Sequence, residues 1–494
     1  MQSFLSQYSF RLVLVLAALL ASLTSLSIGL HQSIWFDEAY SILVAEHSWA
    51  EIVHLTSQDV HPPVYYWLLK AWMMLFGSSE LSLRGMSALF LGLSVVATGL
   101  LLRKFFGAKA ALQALPFLVF APYLLRYGFE IRMYALCSLI GVVATYILVI
   151  ARDEEQIKKR RLLYLIYALL VALGIYTLYF MALLWIAHLV WLISMAFIDY
   201  RRDKIIYPVI AYSLAFLMFL PWLPVFLSKT NGGTLSPVTS HLDLENLYGL
   251  MTFIFLSRPP WDAMGVSMVI VASIVLAILY LSRQGWRKAS EKERQYVVLL
   301  AMHFLIPVLI LVVVTHYRAF YIERYTAHVV IGLYACVGSL AALAGREKPQ
   351  RSQLAASGII LVLLMGCVSL VQFGNYNFQR LHKPSVKNIA ILLNNCKDGA
   401  VIFADGPQVA VELGYYTPDC PVYFFNKTLK MGGGFAMLSD SPLRVADADE
   451  LPKSKEVLHV YYDIPKQSMP EGFDKYSTVT IETLSVTSYR IATD

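Results

Sequence analysis

Long apolar segments alternate with short charged segments over most of this chain. A helix needs about 20 predominantly apolar residues to cross roughly 30 Å of hydrocarbon. Windows of this kind occur near residues 11–30, 84–102, 110–125, 133–151, 162–177, 180–198, 205–227, 263–282, 296–315, 326–344 and 353–372. The pattern predicts about eleven transmembrane helices, although the fifth and sixth windows form one apolar run around Tyr176 to Phe180.

Basic residues are divided unequally between alternate breaks. The breaks at 103–109, 152–161, 200–204, 283–294 and 345–351 contain 19 Lys and Arg residues, whereas the other breaks and their margins contain 8. Because basic loops stay in the cytoplasm, the first set is predicted to be cytoplasmic. The amino terminus is then cytoplasmic and the carboxyl terminus lies outside. This orientation also requires two spans within 162–198, since a single span would put KKRR or YRRDK on the wrong side.

The composition supports a membrane protein. Of 494 residues, 58% are hydrophobic and 15% are charged, against roughly 45–50% apolar and about 25% charged residues in soluble proteins. These values exclude a soluble enzyme, a disordered chain and a disulfide-rich mini-protein. The net charge of +7 is mostly an orientation signal, so no nucleic-acid partner is expected.

The composition changes near residue 373. Residues 373–494 contain 12 Lys and Arg against 14 Asp and Glu, and they predict a helix at VKNIAILL, a buried strand at AVIFAD, a helix through Val409 to Leu413, and strands at PVYFF, EVLHVYYDI and STVTIETLSV. We therefore predict a transmembrane domain of residues 1–372 and a soluble extracytoplasmic α/β domain of residues 373–494. A disulfide between Cys396 and Cys420 and a pair of unpaired thiols are both open.

The first outer loop, residues 31–83, is unusually long and aromatic. Two amphipathic segments, about 39–55 and 64–76, predict helices that lie in the membrane interface. The turn DVHPP between them contains two prolines, which stiffen it. Asp59 and His61 are therefore expected at fixed positions beside the bilayer.

Adjacent Asp37 and Glu38 directly follow the first span. One interpretation is that Asp37 caps a helix beginning near Ala39 and Glu38 stabilises its first turn. The other is catalysis, and it gains weight because the predicted topology gathers many ionisable residues at the outer ends of apolar spans, where they are costly unless paired or functional. These residues are Asp37, Glu38, Asp59, His61, Arg126, Glu130, Arg132, Arg258, His316, Arg318, Glu323 and Arg324.

Several of these residues have a structural alternative. Arg126 and Glu130 are four residues apart and can pair on one helical face, which leaves Arg132. Arg324 opens the tenth span, where it either extends to the headgroups or holds a phosphate through its planar guanidinium. Three further histidines lie inside apolar spans and are interpreted as packed core residues rather than metal ligands: His188, His303 and His328.

Carboxylates and arginines at an outer membrane interface suit glycosyl transfer. Outside the cytoplasm there is no pool of nucleotide sugars, so such a transfer needs a lipid-carried donor, for example a polyprenyl phosphate sugar. A carboxylate would accept the proton of the acceptor hydroxyl as the hydroxyl attacks the anomeric carbon. Arginines would stabilise the departing lipid phosphate.

The runs WFDEAYS, DVHPPVYYWLLK, LRGMSALF, EIRMYAL and ERYTAH, in this order within residues 8–372, resemble the GT-C superfamily, in its protein O-mannosyltransferase and aminoarabinose transferase-like branch. The resemblance implies a GT-C fold and inverting transfer from a polyprenyl-phosphate-linked sugar. It implies Asp37 as the general base, with Arg132 and Arg324 at the donor phosphate. Aminoarabinose transferases have Lys-Pro-Pro where this chain has His61-Pro62-Pro63, which weakens an assignment to lipid A.

We therefore expect a polytopic α-helical membrane protein with a GT-C-like fold and a C-terminal soluble α/β domain, located in the plasma (inner) membrane. Its expected partners are a polyprenyl-phosphate sugar donor, a lipid, glycan or protein acceptor, and membrane lipids. A transporter or flippase of lipid-linked saccharide is the alternative, and it is disfavoured because the span centres are nearly free of charge.

The expected site divides by role. The catalytic residues are Asp37, Glu38 and Asp59, and the substrate-binding residues are His61, Arg126, Glu130, Arg132 and Arg324. No cofactor is required by the sequence, and a divalent cation remains open, with Asp37, Asp59 and His61 as a partial ligand set.

Overall fold

The computed structural model describes residues 2–199, 203–231, 240–257, 264–346, 349–372, 385–393, 399–427, 431, 433–439, 441–452, 454–469 and 471–491. The chain divides into two compact units. The membrane unit comprises Met1–Gly29 and Leu81–Gln372, and the α/β unit comprises Leu30–Glu80 and Phe373–Asp494.

The helices are numbered in chain order. They are α1 Gln2–Leu30, α2 Phe36–Glu46, α3 Trp49–Gln58, α4 Val64–Phe76, α5 Glu80–Phe106, α6 Ala108–Val119, α7 Pro122–Gly128, α8 Tyr134–Asp153, α9 Ile157–Thr177, α10 Met181–Asp199, α11 Asp203–Phe219, α12 Leu223–Asn231, α13 Leu244–Leu256, α14 Met264–Lys288, α15 Glu291–Tyr317, α16 Ala327–Ala344, α17 Pro349–Gln372, α18 Val386–Ala390 and α19 Pro407–Tyr416. The strands are β1 Val401–Ala404, β2 Val422–Phe425, β3 Arg444–Val445, β4 Glu456–Tyr462, β5 Phe473–Ile481 and β6 Leu484–Ile491.

Within the described residues, ten helices are long and apolar enough to cross a membrane, or eleven if the bent pair α6 and α7 forms one span. This confirms the predicted polytopic fold. The long apolar run of residues 162–198 is indeed divided, because α9 ends at Thr177 and α10 begins at Met181. The intervening Leu178 is extended, with φ −156° and ψ 125°.

The third predicted span, 110–125, is not one straight helix. Its two halves, α6 and α7, meet at an angle of 65°. Pro122 is at the start of α7, and Ala121 before it is extended, as expected for a residue that precedes proline. The bend therefore follows from Pro122, and it reorients α7 relative to α6.

Helix α16 forms the core of the membrane unit, with 89% of its apolar window buried. Small residues allow its neighbours to approach closely. A Cβ at Gly338 would lie 2.7 Å from Cβ of Ala114 on α6, and a Cβ at Gly332 would lie 2.7 Å from the ring of His303 on α15.

The α/β unit contains a six-stranded sheet in the order β3-β2-β1-β4-β6-β5. Strands β3, β2, β1 and β4 are parallel, whereas β6 and β5 are antiparallel to their neighbours. The predicted strands at PVYFF and EVLHVYYDI and the helix through Val409–Leu413 are confirmed. The run STVTIETLSV is not one strand but parts of β5 and β6, since the chain turns at Glu482, which has φ 59°.

The first loop belongs to the α/β unit together with the C-terminal region, whereas the domain boundary predicted at residue 373 placed it with the membrane helices. The predicted helix over 39–55 is also two helices, α2 and α3. They separate at Ser48, which caps α3: its Oγ accepts a hydrogen bond from Glu51 N at 3.3 Å, and its own N–H donates to Glu51 Oε2 at 2.9 Å. This capping box starts a new helix and so interrupts the predicted one.

Helix α4 agrees with the prediction over 64–76. Its last turn exposes the large apolar side chains of Met74, Leu75 and Phe76. An exposed apolar turn of this kind is typical of a helix in a membrane interface.

Candidate functional site

In the α/β unit, Asp37 and Glu38 lie in the first turn of α2, which begins at Phe36 rather than near Ala39. The capping role therefore falls to Glu38 and not to Asp37. Glu38 is fully buried, and its Oε2 accepts a hydrogen bond from the backbone N–H of Trp35 at 3.4 Å. Asp37, beside it in the same turn, is half-buried.

The turn after α3 brings Asp59 and His61 together. Nδ1 of His61 lies 3.3 Å from Oδ2 of Asp59, and both residues are buried. The hydroxyl of Tyr66, on α4, donates to the same carboxylate oxygen at 3.5 Å. The prolines that follow immediately precede α4, which begins at Val64, so Asp59, His61 and Tyr66 lie together at this turn.

Residues of the C-terminal region hold both ends of the loop. The hydroxyl of Tyr416, on α19, accepts a hydrogen bond from Ile34 N at 2.8 Å and donates to Glu80 Oε1 at 2.5 Å. Burial, together with the neighbouring Glu80 carboxylate, raises the pKa of Tyr416, so this hydroxyl remains protonated. Lys387 completes the cluster, with its Nζ 2.9 Å from Glu80 Oε2.

An aromatic residue of the C-terminal region also packs against the turn that contains Asp37. The ring of Phe435 stacks on Phe36, with centroids 4.6 Å apart and planes 26° apart. Phe435 belongs to a 3₁₀-helix at Gly433–Leu438. The residue immediately before Asp37 is therefore packed against a segment that follows it by about four hundred positions in the sequence.

In the membrane unit, Arg126 and Glu130 form an ion pair of 2.9 Å between Nη1 and Oε1, and both side chains are almost completely buried. The pair does not lie on one helical face, because α7 ends at Gly128. The segment that carries it is anchored from α5, where Ser87 Oγ donates to the carbonyl of Glu130 at 2.6 Å. The backbone N–H of Arg132 also donates to this carbonyl, at 2.6 Å.

Phe129 separates two buried arginines. The guanidinium of Arg84 lies 5.7 Å from the centroid of Phe129, and that of Arg126 lies 5.1 Å from it. Arg84 also donates to the carbonyl of Gly29. A Cβ at Gly29 would lie 2.7 Å from the Phe129 ring, so a glycine is needed for this close approach.

The ERYTAH motif folds against α7. Residues Glu323–Thr326 form a 3₁₀-helix, and Tyr123 donates to the carbonyl of Glu323 at 2.6 Å. Tyr127 donates to Glu323 Oε1 at 3.2 Å. Arg324 is half-buried beside Glu323. The tyrosines of α7 therefore link the Arg126 segment to the Arg324 turn.

The two units thus gather the predicted residues into two groups. Asp37, Glu38, Asp59 and His61 belong to the α/β unit, and Arg126, Glu130, Arg132 and Arg324 belong to the membrane unit. His316 and Arg318 are exposed at the end of α15. Arg258 lies outside the described residues.

In the part of the chain that is described, no group of three or more His, Cys, Asp and Glu side chains is arranged to hold a metal ion. His188 instead pairs with Thr145 and Tyr167, each at 3.0 Å, and His303 Nε2 lies 3.3 Å from the carbonyl of His328. All three histidines are buried, as expected of packed core residues.

Four of the five cysteines lie in the described residues. Cys137, Cys336 and Cys367 are free and buried. Cys420 is disulfide-bonded, and Cys396 lies outside the described residues.

Four aromatic residues are among the contacts that the sequence did not single out. Tyr127 lies in RYGFEIRMY, the segment 126–134 that contains Arg126, Glu130 and Arg132, and Tyr66 lies in DVHPPVYYWLLK, so a search for hydroxyls within those segments would have found them. Tyr416 and Phe435 have no such signal, because nothing in their local sequence relates them to α2.

Comparison with known families gives a partial match. Residues 60–225 match the sequence model of the family described as dolichyl-phosphate-mannose-protein mannosyltransferase. This region begins in the DVHPP turn and includes the RYGFEIRMY motif. No curated protein matches the sequence.

Solved structures match over most of the chain. ArnT from Cupriavidus metallidurans bound to undecaprenyl phosphate is similar at 14% identity, with a TM-score of 0.62 over 98% of each chain. Its apo state gives 12% identity and a TM-score of 0.60 over the same shares. The archaeal oligosaccharyltransferase AglB from Archaeoglobus fulgidus, in complex with an inhibitory peptide and a dolichol-phosphate, gives 10% identity and a TM-score of 0.52 over 92% of this chain and 69% of that one. These similarities confirm the predicted GT-C-like membrane fold.

Proposed function

We propose that this chain is an integral-membrane glycosyltransferase that moves a sugar from a polyprenyl-phosphate donor to an acceptor hydroxyl. The observation that carries the proposal is the similarity in fold, over 98% of both chains, to ArnT bound to undecaprenyl phosphate. The family match over residues 60–225 supports it independently.

Asp37 is the proposed general base. The acceptor oxygen attacks the anomeric carbon, the bond from that carbon to the phosphate oxygen breaks, and polyprenyl phosphate leaves. Asp37 takes the proton of the acceptor hydroxyl. Its position supports this role, because Asp37 lies in the first turn of α2 and is only half-buried as a residue. We assign Glu38 and Asp59 to orienting and sharing charge around the base.

Arg132, Arg324 and His61 are the proposed contacts of the donor phosphate. Guanidinium groups suit phosphate because their planar N–H groups donate in pairs. The ion pair of Arg126 and Glu130 would hold the segment that presents Arg132, which is how these two residues would contribute to substrate binding.

The proposed orientation has the amino terminus in the cytoplasm and the α/β unit on the extracytoplasmic side of the plasma (inner) membrane. The distribution of basic residues between alternate breaks supports it. The acceptor would then be a lipid, glycan or protein hydroxyl outside the cytoplasm, and the C-terminal region would help to select it.

The test uses purified full-length protein with polyprenyl-phosphate sugars of several kinds and measures the release of polyprenyl phosphate. Asp37→Asn should lower the rate by about 10²- to 10⁴-fold, the range typical for loss of a general base. Glu46→Gln is the matched control, since Glu46 is an exposed carboxylate in the last turn of the same helix. Its rate should equal that of the wild type.

Two outcomes would contradict the proposal. Equal release by the wild type and Asp37→Asn would remove Asp37 as the base. Absence of turnover with every donor, combined with translocation of one of them across a vesicle membrane, would indicate a transporter of lipid-linked saccharide.

A further inference from the structure

A groove lies between α9 and α11, on the membrane unit and apart from every residue discussed above. Its volume is about 460 Å³, within the range of roughly 300–1,000 Å³ that is usual for small-molecule sites. Both helices are long and apolar enough to cross a membrane. The residues that line it are Arg161, Tyr164, Leu165, Ile206, Tyr207, Ile210, Ala211 and Leu214.

The floor of the groove is aromatic and ordered. The rings of Tyr164 and Tyr207 stack with centroids 5.9 Å apart and planes 14° apart. The guanidinium of Arg160 lies 5.8 Å from the centroid of Tyr207, and its Nε donates to the carbonyl of Glu154 at 2.6 Å. Arg160 thus fixes the aromatic floor from the end at which α9 begins.

The same end of the groove carries an exposed cationic side chain. Four consecutive basic residues, 158–161, open α9. Lys159 is paired with Glu154 at 2.5 Å, whereas Arg161 is exposed and, among the described residues, has no ion-pair partner. The walls beyond it are apolar and exposed, notably Leu165, Ile206 and Ile210.

The groove is therefore positively charged at one end, where α9 begins, and apolar along the rest of its length. An anionic phospholipid has the complementary arrangement, since its net negative charge lies at the membrane surface and its acyl chains extend inward. A neutral lipid would fill the apolar part equally well but would gain nothing from Arg161. A soluble anion would gain nothing from the exposed apolar walls.

We propose that this groove is a binding site for an anionic phospholipid, with its negatively charged headgroup at Arg161 and one acyl chain against the walls formed by α9 and α11. The site is separate from the donor site proposed above, and it does not depend on that function. It holds a structural lipid of the surrounding bilayer.

Native mass spectrometry of the full chain in detergent tests this proposal with two probes, dioleoylphosphatidylglycerol and dioleoylphosphatidylcholine, which share their acyl chains and differ in headgroup. The wild type should retain dioleoylphosphatidylglycerol about fivefold better than dioleoylphosphatidylcholine. This factor corresponds to about 1 kcal/mol per basic residue near an anionic headgroup. Arg161→Gln should remove this preference. Lys104→Gln, an exposed basic residue at the end of α5, should keep it.

The apolar part is tested by a pair of neighbouring residues on α11. Ile210→Trp fills the groove and should lower retention of both lipids, whereas Val209→Trp, equally exposed but outside the groove, should not. Both positions are on the surface, so neither variant should change the unfolding temperature. Equal retention of the two lipids by the wild type would overturn the headgroup assignment. Unchanged retention in Ile210→Trp would overturn the groove as the site.

Discussion

The hydroxyl of Tyr416 joins the two ends of the first loop. It accepts from Ile34 N at 2.8 Å and donates to Glu80 Oε1 at 2.5 Å, so it holds residues just before α2 and just after α4. Ile34 is fully buried, and it precedes Asp37 by three positions. Tyr416→Phe removes both hydrogen bonds while keeping the ring.

The cost can be estimated bond by bond. A buried N–H that loses its partner costs about 1–3 kcal/mol, and this applies to Ile34 in full. Glu80 keeps its ion pair with Lys387, so the loss there is closer to the ordinary net value of about 1 kcal/mol. We therefore expect the α/β unit to lose about 2–4 kcal/mol. For a domain of 150–250 residues this corresponds to a decrease in Tm of roughly 4–16 °C.

The assay is thermal unfolding of the full-length protein, followed through the α/β unit by the protease sensitivity of the 30–80 loop. Tyr415→Phe is the matched control, because the neighbouring hydroxyl donates to the Ser78 carbonyl at 2.9 Å in an exposed position. That loss should cost less than 1 kcal/mol. Equal shifts in the two variants, or none in Tyr416→Phe, would refute the reasoning that this hydroxyl anchors the loop.

Three further results are expected. Arg126→Gln should lower the free energy of unfolding by about 3–5 kcal/mol, because it leaves the buried Glu130 carboxylate without its ion pair. The double variant Arg126→Gln, Glu130→Gln should lose less than the sum of the two single variants. Additive losses in this double-mutant cycle would contradict the pairing. Ser48→Ala should cost about 0.5–2 kcal/mol by removing the cap of α3, whereas Ser48→Asp should retain it; chemical denaturation measures both. Peptide mapping without reduction should find Cys420 linked to Cys396, and the recovery of both as free thiols would exclude this disulfide.

The sequence predicted the membrane helices well because each span is a local property. About 20 apolar residues bounded by charge identify a helix without any knowledge of its neighbours, and even the break between α9 and α10 followed from counting basic residues on either side. The errors were also local. Ser48 and Glu51 form a capping box that splits the predicted helix over 39–55, and Glu482 turns the chain between two strands that were taken as one.

The site was predicted in its residue types but not in its contacts. The motif that contains Asp37 and Glu38 indicates two carboxylates, and only the structure assigns the cap to Glu38, because the observed start of α2 is at Phe36. The pairing of Arg126 with Glu130 was expected on a helical face, yet α7 ends between them. A spacing of four residues thus brought the correct partners together for a different geometric reason.

The contacts that no local pattern could predict are those between the first loop and the C-terminal region. Ile34 and Tyr416 are separated by 382 positions, and neither sequence segment carries a motif that refers to the other. Their hydrogen bond holds the residue next to Trp35, whose own N–H donates to the capping carboxylate of Glu38. The stacking of Phe435 on Phe36 acts on the same turn. The C-terminal region therefore supports the conformation of the Asp37 segment itself, in addition to any part it has in selecting an acceptor.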